Sequence, residues 1–408
     1  MVRADFSVHA PLFGTEENAL VGINDLLVLP DANGGTLYTA TRGDGWLSAF
    51  DIGGGVEQTE LEGHWRISPQ YLQLETTDLV PKGADQLFMA GLNSADLQGV
   101  SLDADRSGTP FTSAISVTTQ NTNARFFTEV ALEETGQSGI AALRGGGVVQ
   151  VSFGSGGQLT VSEIDAGGEL DSARAADVLT ASHNGETYAF ASYGTEDSVS
   201  MFKKTAGGSF EHLTNIGTED GLWVDRPGAM AMTTAVDGGM FLVTAASGSG
   251  SLSVMSITAG GMIPVDHILD SAQTRFADAS HVTSISIGAQ DFVLAAGSDA
   301  GISLFAMLPG GRLQHVTSME ATADAPLNGI TALEAMATPD GIRIWASTEA
   351  APFLSEFSVD LQTLGISANS GNGGGALTGS DSDDILSGGA GADHCLKSAL
   401  MGPNSVIC

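Results

Sequence analysis

One pattern recurs seven times along this 408-residue chain. It is a short apolar run, a turn of small residues, then a second alternating run closed by a large apolar residue. The closing residues are Phe50, Val100, Val151, Phe202, Met255, Phe305 and Phe357, separated by 50, 51, 51, 53, 50 and 52 residues. A constant period of this size marks a repeat architecture, in which each unit buries its apolar face only by stacking on its neighbours. The first copy reads Leu37-Tyr38-Thr39-Ala40, a turn at Gly43-Asp44-Gly45, then Trp46-Leu47-Ser48-Ala49-Phe50. The fifth reads Phe241-Leu242-Val243-Thr244-Ala245, then Ser251-Leu252-Ser253-Val254-Met255.

Each unit holds four strand-like runs; in the sixth these are 281–287, 292–296, 301–307 and 313–317. Polar and apolar residues alternate along the third run, the period-two pattern of a half-buried strand. Turns such as Pro309-Gly310-Gly311 and Ala206-Gly207-Gly208 separate the third and fourth runs. No unit carries a stretch of helical periodicity, which argues against parallel βαβ construction. A solenoid has shorter repeats, and a pair of sandwiches has no reason to keep a constant period. The expected fold is therefore all-β, a seven-bladed β-propeller over residues 20–366 behind a lead-in of residues 1–19.

Composition narrows the partners. Asp and Glu number 48 against 15 Lys and Arg, a formal charge of −33. Such a surface repels nucleic acid and anionic membrane and favours cations. No apolar stretch is long enough for a membrane helix. The first residues lack the basic region and apolar core of a cleavable signal peptide. A monomer is the expected state. The two cysteines, Cys395 and Cys408, both lie near the end, and the sequence leaves their pairing open.

The phrases Leu37-Tyr38-Thr39-Ala40-Thr41-Arg42-Gly43 and Leu47-Ser48-Ala49-Phe50-Asp51 resemble the lactonase-like propellers, the group of 6-phosphogluconolactonase and the "YVTN" surface propellers. The resemblance implies the same fold and, as one alternative, a hydrolase or isomerase acting on an anionic substrate. Arg66, Arg125, Arg174, Arg226 and Arg275 each fall shortly before the first run of a unit. Together at one face they form a candidate anion site. The other reading is that each pairs with a neighbouring acid, as Asp225 beside Arg226 and Asp171 near Arg174 suggest. In Val224-Asp225-Arg226-Pro227-Gly228 a proline stands where the family has a histidine, and Ala245-Ala246-Ser247 supplies no carboxylate. No catalytic residue is assigned on this basis. His64, His183 and His281 read as structural, and Asp103–Gly108 as a hairpin turn without the twelfth-position acid of a calcium loop.

Beyond a Gly/Ser/Asn-rich linker at 367–376, the step shortens to nine residues. Gly388-Gly389-Ala390-Gly391-Ala392-Asp393-His394-Cys395-Leu396 follows Gly379-Ser380-Asp381-Ser382-Asp383-Asp384-Ile385-Leu386-Ser387 in phase, with Leu377, Leu386 and Cys395 at the apolar position. This segment, 377–396 with a tail at 397–408, resembles the RTX (hemolysin-type) nonapeptide repeat, a short β-roll. The resemblance implies Ca2+ as cofactor and Gly379, Asp381, Asp383, Asp384, Gly388, Gly389, Gly391 and Asp393 as its site. Carboxylates and turn carbonyls supply the oxygen ligands that calcium requires. It also implies type I secretion of an extracellular protein. The role expected of the propeller is to bind an extracellular ligand, anionic in kind, or a protein partner.

Overall fold

The structure, a computed structural model, describes residues 4–14, 20–31, 34–42, 45–53, 59–66, 77–91, 97–102, 108–110, 117–118, 126–155, 157–349, 352–361, 364–369, 374–378, 383–387 and 393–396. Among these, the only helical turns are two short 3₁₀ segments, Gly168–Asp171 and Thr218–Asp220. No described helix is long and apolar enough to cross a membrane.

Seven antiparallel sheets make up the body, each ordered from the axis outward. Blade 1 comprises Ile23–Leu29, Thr36–Thr41, Trp46–Asp51 and Glu60–Arg66. Blade 2 comprises Asp78–Lys82, Gln86–Ala90, Gln98–Leu102 and Gly108–Pro110. Blade 3 comprises Phe127–Leu132, Ser138–Leu143, Val148–Phe153 and Leu159–Glu163, with Val117–Thr118 added in parallel outside. Blade 4 comprises Asp177–His183, Glu186–Tyr193, Ser198–Lys204 and Phe210–Gly217. Blade 5 comprises Pro227–Thr234, Met240–Ala246, Ser251–Thr258 and Gly261–Leu269. Blade 6 comprises His281–Ile287, Gln290–Ala296, Gly301–Leu308 and Arg312–Glu320. Blade 7 takes Ile330–Thr338, Gly341–Thr348 and Phe353–Asp360 from the end of the body and Phe6–Val8 from its beginning.

Consecutive innermost strands touch all the way round, including the last with the first, so the ring is closed. The lead-in is thus no separate segment. Phe6–Val8 is the outermost strand of blade 7, and Leu12–Phe13 pairs with the same Phe353–Asp360 strand.

The core is divided among the blade junctions, one apolar cluster to each of the seven. The seven periodic residues occupy one equivalent place in this arrangement. Each lies on the third strand of its blade, at most 2 % exposed, and packs against the preceding blade. Phe202, for instance, sits with Ile140 and Val148 of blade 3, and Phe305 with Phe241 and Val254 of blade 5. In blades 1, 4, 5 and 6 the pairing with the outermost strand slips by one residue at this position. Such a bulge bends the outer strand and increases its twist. Each large side chain buried here contributes about 1.5–3 kcal/mol.

The C-terminal segment is built on another principle. Leu364–Asn369 pairs in parallel with Asp383–Ser387, and Gly375–Thr378 with Asp393–Leu396. Apart from Leu364 with Asp383, where the register shifts by one, the partners in both pairs stand 18 residues apart, as in Ser367 with Ile385 and Leu377 with Cys395. Strands therefore occupy much of the stretch expected to be a linker, and the first strand of this segment begins at Leu364 rather than Leu377.

Candidate functional site

The innermost strands line the channel, and four of them carry an acid near the start. Asp25, Asp78, Glu129 and Asp177 stand opposite the small residues Ala40, Ala90, Ala142 and Ser192 on the adjoining second strands. His281 takes the matching position in blade 6, opposite Ala296. Blade 7 contributes Glu334, opposite Trp345. All five acids are half-buried.

Three of these acids reach across a blade junction. Asp25 accepts the Leu79 N–H at 2.5 Å, Asp78 accepts the Val130 N–H at 2.6 Å, and Asp177 accepts the Met230 N–H at 2.7 Å. Asp25 also takes the Leu26 N–H at 2.8 Å, and Glu334 the Ala335 N–H at 2.8 Å. These bonds favour the ionised form, but burial outweighs them. Loss of solvent pushes Asp25, Asp177 and Glu334 up to about 7. Burial, followed by the charge of Asp25, raises Asp78 well above the usual carboxylate range. Burial, with Asp78, Asp177 and Asp25 adding to it and Arg174 opposing, does the same for Glu129. Burial thus favours the neutral form of each of these acids.

Sequence reasoning followed the arginines and missed this ring. The signal was available, because Asp25, Asp78, Glu129 and Asp177 recur at nearly the blade period, each immediately before an apolar residue of an innermost strand.

The arginines are spread rather than gathered. Arg66 ends the outermost strand of blade 1, its guanidinium 5.7 Å from the centre of the Trp46 ring. Arg275 pairs with Glu320, the last residue of an outermost strand, and bonds the Thr274 carbonyl at 3.1 Å. Both lie at the outer rim, away from the axis. Arg226 is exposed in the loop before blade 5, in the left-handed region at φ 54°, and faces Asp225 at 3.9 Å. Arg174 precedes blade 4, and its charge acts on Glu129. Arg125 lies outside the described residues. Pairing with nearby acids thus holds for Arg226 and Arg275. Pro227 pairs with Ala246, and Ser247 N–H bonds the Arg226 carbonyl at 3.1 Å, so small and apolar residues adjoin that arginine.

His64, expected to be structural, stacks on Trp46 and bonds Ser48 at 2.9 Å. Among the described residues no three His, Cys, Asp or Glu stand close enough to hold one metal together. Gly379, Asp381, Gly388, Gly389 and Gly391 lie outside the described residues, as does Cys408. Asp383 and Asp384 fall on the strand Asp383–Ser387, and Asp393 begins Asp393–Leu396.

Comparison with solved structures places the propeller among known folds. It is similar to a protein of Bacteroides fragilis NCTC 9343 described as a candidate 6-phosphogluconolactonase, at 13 % identity and a TM-score of 0.53, over 75 % of this chain and 85 % of the other. A functionally unknown protein of Desulfotomaculum acetoxidans DSM 771 is similar at 11 % identity and a TM-score of 0.50, over 76 % and 90 %. At such identities the likeness is one of fold. No protein-family model matches the sequence, and no curated protein does.

Proposed function

We propose that this chain is a calcium-responsive binding protein, in which the propeller holds an extracellular ligand or protein partner and the C-terminal segment takes up Ca2+. The observation that supports the reading is the 18-residue parallel register of the C-terminal strands. Two nine-residue repeats then make one full turn of a coil. Turns two repeats apart stack on the same side, as the RTX resemblance requires for a calcium held between them. The same register sets the apolar marks Leu377 and Cys395 side by side and leaves Leu386 fully buried. Metal uptake by such a segment couples to its folding, and calcium-rich surroundings outside a cell suit that coupling.

Calorimetric titration of the full chain with calcium tests the reading. Heat of binding, with a rise in melting temperature, is expected for the native chain and is lost in a variant carrying Asp381→Asn, Asp383→Asn and Asp384→Asn. No heat and an unchanged melting temperature at millimolar calcium overturn it. The likeness to a candidate 6-phosphogluconolactonase favours one alternative, a lactonase-like hydrolase or isomerase using the arginine-bearing face. Turnover of sugar lactones that falls in Arg226→Ala supports that alternative, and equal rates remove this residue from it.

A further inference from the structure

Neighbouring innermost strands are fastened by bonds from a side chain of one to the backbone of the next, and these clasps are of two chemical kinds. Acids serve at three junctions: Asp25 between blades 1 and 2, Asp78 between 2 and 3, and Asp177 between 4 and 5. Hydroxyls serve at three others, donating to backbone carbonyls. Thr180 bonds Leu132 at 2.8 Å between blades 4 and 3, Ser284 bonds Met232 at 2.5 Å between 6 and 5, and Thr331 bonds Ile23 at 2.5 Å between 7 and 1. At the remaining junction His281 bonds the Thr331 backbone. Hydroxyl clasps do not change with pH, whereas acid clasps gain or lose charge.

We propose that the channel wall is a proton-operated latch, in which the acid clasps hold their blades together when the ring carries protons and strain apart through mutual repulsion when it loses them. The surroundings set this response. Asp25 lies between blade 7, which carries Glu334, and blade 2, which carries Asp78, and the charges of Glu334 and Asp177 act on it; Tyr38 is the one titratable residue on the strand behind it. Asp78 faces Asp25 and Asp177. Lys82 on the same strand is turned to the Gln86 amide at 2.9 Å and the Phe153 ring at 4.3 Å. Glu129 has the acids Asp78, Asp177 and Asp25 around it, and Arg174 as its cation. Behind Asp177 stand Glu186, Tyr188 and Tyr193, with His183 at the far end of its own strand. The innermost strand of blade 5 beside it carries no titratable residue. Behind Glu334, Arg343 is committed to Glu356. Arg174 thus acts on Glu129, and full ionisation is opposed by burial at all five acids and by neighbouring charge at Asp25, Asp78 and Glu129.

The sign follows from linkage. Acids held up to about 7 bind more protons in the folded chain than in the unfolded one. Their contribution is fully present below the ordinary carboxylate range near ~4, and it is lost as pH rises through about 7.

Melting the full chain at about pH 6.5 and about pH 8.5, where buried histidines stay neutral, tests the latch. The native protein is expected to melt lower at the higher pH. Asp177→Asn keeps an oxygen for the Met230 N–H without the charge, so its melting temperature at the higher pH rises and the difference shrinks. Asp177→Ala loses the acceptor and melts lower at both. Thr180→Val, which removes a hydroxyl clasp, lowers both temperatures and leaves the difference intact. A native melting temperature equal at the two pH values, or Asp177→Asn falling at the higher pH as far as Asp177→Ala, overturns the proposal. Infrared spectra supply a readout independent of stability. A carbonyl band of neutral carboxylic acid is expected at the lower pH and is weakened in the Asp25→Asn, Asp177→Asn double variant; its absence from the native chain overturns the latch as well.

Discussion

Arg343 and Glu356 form an ion pair at 2.7 Å with both side chains at most 2 % exposed. The guanidinium also bonds the Ile52 carbonyl at 2.5 Å and the Thr59 hydroxyl at 3.1 Å, so the pair belongs to blade 7 and grips blade 1. A second contact reaches sideways to the Trp345 ring, 5.0 Å away. Removing one partner strands the other charge in the interior. Arg343→Ala is expected to lose about 3–5 kcal/mol in urea unfolding. The double variant Arg343→Met, Glu356→Leu recovers much of that, because it removes both charges together.

The period-marking residues make a second prediction. Phe202 is fully buried against blade 3. Phe202→Ala is expected to cost about 3–5 kcal/mol, the usual penalty for an emptied aromatic site. Phe202→Leu costs less because it leaves a smaller void. Equal unfolding midpoints for the native protein and the alanine variant contradict the packing described.

Ring closure makes a third. Three residues of Phe6–Val8 and two of Leu12–Phe13 pair with the strand Phe353–Asp360. Deleting residues 1–13 is expected to lower stability by roughly 3–5 kcal/mol, at about 1 kcal/mol for each pairing bond. A synthetic peptide of residues 4–14 then restores part of the loss, read as a concentration-dependent rise in melting temperature.

Histidines set the acid limb of the stability curve. Burial lowers His64, His267, His281 and His315 below the ordinary imidazole value. Below about pH 6.5 the folded chain therefore binds fewer protons at these sites than the unfolded chain, and stability falls as pH falls. The channel acids act in the opposite direction from the ordinary carboxylate range up to about 7. Over that range the two sets of groups oppose each other, and urea midpoints are expected to vary less with pH than either set alone would make them. His281→Gln flattens the acid side, and an unchanged acid limb in that variant removes His281 from the account.

How much of this was legible beforehand depends on the kind of signal. Blade count and strand order followed from the spacing of Phe50 through Phe357, because one equivalent packing position must be refilled in every unit. The sixth blade agrees with its expected runs to within a few residues. Closure by Phe6–Val8 was hidden, since a three-residue strand carries no periodicity of its own. The channel acids were hidden by composition, since five of 48 acidic residues do not stand out until strands bring them together. The arginine grouping was misleading because position along the chain fixes the face of a propeller on which a residue falls, but not its radius. Arg66 and Arg275 share the face and lie at the rim.

Borrowing the outermost strand of blade 7 from the beginning of the chain has a kinetic consequence. During synthesis the first six blades can assemble one upon another as they emerge, yet Phe6–Val8 must wait for a partner that lies some 350 residues later. The entropy of closing so long a loop rises only slowly with its length, but pairing over such a sequence distance is slow. Until Phe353–Asp360 is made, the nascent protein remains an open crescent, with an unpaired strand at one end and an uncovered blade face at the other.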